Sequence, residues 1–143
     1  MKKTFKGLLA DGQQQKIRLS TNNGEMGYRV VKFQGIGNNP GGQNPESLLT
    51  LTRYKQSTID GTINFDNPSI LGIVYWQGGA TAGDTPQDMT IIFDDKIVNQ
   101  DIFISHHEAH GNQSCNYYVE LEQVKLSKDE AAISTLVDMR GRE

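Results

Sequence analysis

The order of hydrophobic periods constrains this chain most. Eight short strand-like runs, separated by Asp-Gly, Asn-Gly and glycine-rich turns, come first, and the one helix-like segment comes last. The runs cover residues 4–9, 16–20, 28–35, 47–55, 70–77, 89–94, 101–106 and 115–126. Asp11-Gly12 and Asp60-Gly61 carry the residues of type I′ hairpins, whose central positions take positive φ, and Asn22-Asn23-Gly24 reads the same way.

Within the runs the period is two. Ile17 and Leu19 lie opposite Lys16 and Arg18, Leu49 and Leu51 opposite Thr50 and Thr52, and Ile102 and Ile104 opposite Asp101 and Phe103. These strands have one dry face and one wet face. Residues 70–76 are apolar on both sides, which predicts a central strand whose second face meets a loop, the helix or a neighbouring subunit. In the last run Cys115, Tyr117, Val119 and Leu121 share a side that Val124 and Leu126 leave, so a bulge or bend is expected near Gln123. Ser127 and Glu130 then form a capping box, Ala132, Ile133, Leu136, Val137 and Met139 follow at helical spacing, and Gly141 suits a helix end. The expected fold is all-β: a single antiparallel β-sandwich over residues 1–143, jelly-roll-like, with one short C-terminal α-helix at 127–140.

Composition removes several functions. A net charge of -3, with no basic run longer than Lys2-Lys3, lacks the footprint of a nucleic-acid binder. Met1-Lys2-Lys3 opens like a signal peptide, but Gly7 to Ala10 is too short for its apolar region and Asp11 ends it. No segment is long enough to span a bilayer. The single cysteine, Cys115, excludes an intrachain disulfide framework and fits synthesis in a reducing cytoplasm.

No catalytic constellation emerges, and no cofactor is expected. His106, His107, Glu108 and His110 hold the residue types of a zinc or nickel site. The spacing is not His-Glu-x-x-His and no Cys-x-x-Cys accompanies it, so an exposed polar hairpin tip is favoured over a metal site. Gly35 to Gly42 resembles a phosphate loop in composition only, because no helix follows. A surface loop, with Asn38 and Asn39 as contact candidates, fits it better. The acidic pairs Asp94-Asp95, Asp84 with Asp88, and Glu120 with Glu122 read as turn residues or a solvated face. Trp76 and the tyrosines suit core or interface more than sugar stacking.

Several stretches together resemble a group of small proteins encoded by marine tailed bacteriophages. They are Lys3-Thr4-Phe5-Lys6-Gly7 to Asp11-Gly12, Leu19 to Gly24 with Gly27-Tyr28-Arg29-Val30-Val31, Asp60-Gly61-Thr62-Ile63, Asn99-Gln100-Asp101-Ile102-Phe103, and Asn116 to Glu122 into Leu136-Val137-Asp138-Met139-Arg140. The resemblance runs the length of the chain except residues 37–46 and 77–88. It implies a non-enzymatic virion structural protein made in the host bacterial cytoplasm. The leading expectation is a capsid decoration (cement) protein on the capsid surface, self-associating as a homotrimer and gripping the major capsid protein through a terminal arm and loops. Lys3, Phe5, Tyr75, Trp76, Asn38 and Asn39 are the interface candidates. The alternative is a tail or fibre-associated module that binds a host glycan or another virion protein.

Overall fold

The computed structural model describes residues 2–19, 25–40, 45–78, 88–111 and 113–139. They form β1 (Lys2–Leu9), β2 (Gln14–Ile17), β3 (Met26–Gly37), β4 (Glu46–Thr52), β5 (Ile70–Gln77), β6 (Asp88–Ile92), β7 (Ile102–Glu108), β8 (Cys115–Lys125) and α1 (Lys128–Met139). A three-stranded sheet has the order β1-β8-β3, and a five-stranded sheet has the order β2-β7-β4-β5-β6, with every pairing antiparallel. The expected antiparallel sandwich is thus present.

The wrapping is that of a jelly roll. Sequence-distant strands pair as β1 with β8 and β2 with β7, then β3 joins β8 and β4 joins β7, so the chain winds around the core as a doubled ribbon. One strand departs from the full pattern. β6 stays on β5 instead of extending the first sheet beside β3, and among the described residues Val98 alone, bridging Tyr28 with backbone bonds of 2.7 and 2.9 Å, takes that place.

Inward residues of both sheets make the main core: Leu9, Phe33, Leu49, Leu51, Ile102, Ile104, Val119 and Leu121 are all fully buried there. Leu49, Leu51, Ile102 and Ile104 alternate with partners on the other face as expected, but that face is not wet: Leu48, Thr52, Phe103 and Ser105 are buried on it as well, and Thr50 is half-buried. Gly35 and Gly37 lie in β3, not in a loop. A Cβ on Gly35 would stand 2.5 Å from Leu49 Cδ1, and one on Gly37 would stand 2.7 Å from the Trp76 indole. Their glycines make room for the facing sheet.

Other local expectations are corrected. Asp11-Gly12 does turn, with Gly12 at φ 77 and Gln13 N–H donating to the Ala10 carbonyl at 3.0 Å, but it carries the chain from one sheet to the other. No hairpin forms, because β8 and β7 are the partners of β1 and β2. Asp60-Gly61 lies inside the long connection 53–69 between β4 and β5. Asn22-Asn23-Gly24, Asp84 and Gly141 fall outside the described residues. The bulge lies on β3, where the register shifts between Val30 and Lys32, whereas β8 stays continuous and sets Gln123 opposite Tyr28. Leu126, just past the end of β8, still donates its N–H to the Glu25 carbonyl at 2.8 Å and packs beside Gly27, the residue paired with Val124, so both lie on the other face without a bulge in β8. The opening residues form β1, paired along its whole length with β8, and so are part of the sandwich instead of a free arm.

Candidate functional site

Three regions gather the chemistry of the described residues. The first is a polar row sealed between the sheets. In a strand adjacent side chains point to opposite faces, so β7 sends His106 inward and His107 outward. The histidine run as a whole is therefore not an exposed tip: His106 is fully buried in β7, His107 is half-buried, and of the three histidines His110 alone lies on the exposed turn that follows, with Ala109 and Gly111. Among the described residues no three metal-ligating side chains cluster.

His106 Nδ1 lies 3.0 Å from the Leu9 carbonyl and Nε2 lies 3.1 Å from Ser47 Oγ. A carbonyl only accepts, so Nδ1 carries the proton, Nε2 is the acceptor, and the Ser47 hydroxyl donates to it. That is the hydrogen-bond order of a serine nucleophile and its base, yet both side chains are closed off from solvent. Burial pushes the His106 pKa below its ordinary value of 6.5, which keeps the ring neutral. Next to Ser47, burial pushes the Cys115 thiol up to about 11, so it stays protonated. Glu108 completes the row: its carboxylate accepts from Glu46 N–H at 3.0 Å, and its own N–H donates to Asp11 Oδ1 at 2.8 Å. Together these contacts pin β7 to β1, to β4 and to the turn at Asp11.

The second region is the helix. Ser127 N–H donates to Glu130 at 3.3 Å, and Glu130 N–H donates to Ser127 Oγ at 3.1 Å, the reciprocal capping box its sequence predicts. Buried Asn99 holds the helix by donating from Nδ2 to the Ala131 carbonyl at 3.1 Å and to Thr135 Oγ1 at 2.6 Å, and the Tyr54 hydroxyl donates to the Val137 carbonyl. Contact thus runs through Ala131, Thr135 and backbone. The larger apolar residues point away: Ile133 is 64% exposed, Leu136 67% and Val137 38%. Nothing in the sequence marks Asn99 as a site residue, because a polar residue in a loop carries no local sign of a long-range partner.

The third region is the outer face of the five-stranded sheet. Leu48, Ile70 and Ile73 form a second buried cluster there, with Tyr75, Ile91 and Phe93 packed around it. Connection 53–69 lies over this face, and Phe65 meets Phe93 edge-on at 5.1 Å. This is the loop that covers the doubly apolar β5.

The interface candidates do not converge. Phe5 packs against the main core, and Trp76 is half-buried beside Gly37 and Gly78 at one end of the sandwich. Tyr75 is half-buried on the opposite face, its hydroxyl accepting from Gln77 Nε2, and its pKa is raised mainly by burial. Lys3 reaches over the Tyr28 ring at 5.4 Å, and Asn38 and Asn39 stand exposed in the turn after β3. Comparison with family models, with curated proteins and with solved structures found no match.

Proposed function

We propose that this chain is a non-enzymatic structural component of a tailed-phage particle, a capsid decoration (cement) protein that contacts the major capsid protein and copies of itself. The observation that carries the reading is the outward apolar face of α1. Ile133, Leu136 and Val137 sit at i, i+3 and i+4, so they form one continuous stripe, and contiguous exposed apolar surface is the usual mark of a protein–protein contact.

Two further points support it. The reactive side chains of the sealed polar row are consumed in holding strands together, which suits a stoichiometric building block. The jelly-roll winding is shared by many viral capsid domains, a fold-level analogy that favours the same reading. On a repeating shell, modest contacts at each copy sum to firm attachment.

Solution mass measurement and cryo-electron microscopy of the particle test the proposal. A trimer that dissociates in Ile133→Ser/Leu136→Ser, with thermal stability of the subunit retained, is expected, together with density for the chain on the head. A monomer at all concentrations, or density confined to the tail, would overturn it.

A further inference from the structure

We infer that the outer face of the five-stranded sheet carries a binding site for a short neutral saccharide, held between β4, β7 and connection 53–69. Two adjoining depressions occupy this face. The larger has a cavity volume of about 230 Å³ and the smaller about 160 Å³, and Leu48 and His107 line both. Each is below the roughly 300–1,000 Å³ of drug-sized clefts. Each therefore suits one ring-sized unit, and their shared wall suits two units in sequence.

The lining selects the chemistry. Thr50, Thr58, Thr62 and Asn64 line the larger lobe, and none of their side chains has a hydrogen-bond partner among the described residues. Three hydroxyls and one carboxamide supply donors and acceptors alike, the match for a ligand whose own hydroxyls do both. No lysine or arginine lines either lobe, which disfavours phosphate and other anions. Asp60 in the larger lobe, one of whose oxygens already accepts from Thr62 N–H at 3.0 Å, and Glu46 in the smaller are the carboxylates lining the two lobes, one in each, where a hard cation needs several on one centre. Buried Leu48 and Ile70 form an apolar floor, and the half-buried Tyr75 ring walls the smaller lobe, surfaces for the C–H face of a sugar.

Gly61 and His107 meet at the wall the lobes share. Gly61 crosses the His107 imidazole so closely that a Cβ there would lie 3.1 Å from Cδ2 and 3.3 Å from Nε2. His107 itself remains about one-third exposed, with Nδ1 3.9 Å from Asp11 Oδ1. The partly exposed ring thus stands between the two depressions and lines both. This site does not depend on where the chain sits in a particle.

Amide-resolved NMR titration of the full chain with maltose, lactose and cellobiose tests it, with inorganic phosphate and calcium chloride as separate titrants. At least one disaccharide should produce saturable shifts confined to residues 58–64 and 105–107. In Thr62→Val/Asn64→Ala, two exposed-loop changes, the affinity should fall about fivefold or more, the loss expected for two hydrogen bonds. Thr58→Val is the second variant if the first perturbs amides outside the loop. Absence of saturable shifts with every disaccharide, unchanged affinity in the variants, or a response to phosphate or calcium alone would overturn the inference.

Discussion

The outer faces of the two sheets obey the same alternation and end in opposite states. On the three-stranded sheet the outward rows are charged and wet: Lys2 Nζ lies 3.4 Å from Glu120, Arg29 lies 3.0 Å from Glu122, and Lys32 stands 6.0 Å from the centre of the Tyr118 ring. The expected solvated Glu120–Glu122 face is this ladder. On the five-stranded sheet the outward rows include Leu48, Ile70 and Ile73, buried beneath connection 53–69. Strands β4 and β5 are adjacent, so a two-residue turn would have sufficed to join them. The long connection instead supplies a lid, which converts the second face of β5 into a small core and leaves a pocketed rim. A sheet face becomes interior only where the chain provides something to lay on it.

Substitutions on the three surfaces test that contrast. Leu49→Ala, between the sheets, should cost about 2–5 kcal/mol of unfolding free energy in urea titration. Ile73→Ala, under connection 53–69, should cost near the low end of that range, about 2 kcal/mol, because the thin lid can collapse onto the gap. Equal losses at the two sites would erase the distinction between main core and lidded face.

Buried His106 tests it further through pH. His106 is buried neutral with a lowered pKa, so below about pH 6.5 the unfolded chain binds a proton that the native chain refuses. Stability should therefore fall as pH drops through that region, and His106→Gln should flatten this limb. At the alkaline end the sign reverses: the thiol of Cys115 titrates near 9.0 when unfolded and about 11 when folded, so stability declines as pH rises between those values. Urea midpoints across pH for wild type, His106→Gln and Cys115→Ala check both limbs.

The smallest effect belongs to the charged face. Arg29→Ala removes a half-exposed ion pair and should change stability by less than about 1 kcal/mol, with the difference shrinking as salt is raised. A loss rivalling Ile73→Ala would show that the charged ladder is structural after all.

Much of the fold was legible because its signals are local. Period-two runs marked eight strands, Ser127 and Glu130 marked the helix start, and the two-sided apolarity of residues 70–76 marked a covered strand. The site was less legible. His106 and His107 are neighbours in sequence, yet one is sealed against Ser47 and the other borders an open depression. Asn99, Asp11 and Glu108 serve as long-range pins, and nothing in their own neighbourhoods announces that. Gly35 and Gly37 resemble loop residues because a glycine-rich run has the same composition whether it turns or clears space for a facing side chain.

The sequence alone determined the periods, the cap and the absence of a strong charge, since each depends on residues within a few positions of one another. Tertiary structure alone decided which face of each sheet is covered, that β6 remains on β5, and that the apolar stripe of α1 points outward. Those outcomes depend on how elements far apart in the chain pack together. A period of two or 3.6 states that an element has two faces, but burial depends on what arrives to cover them.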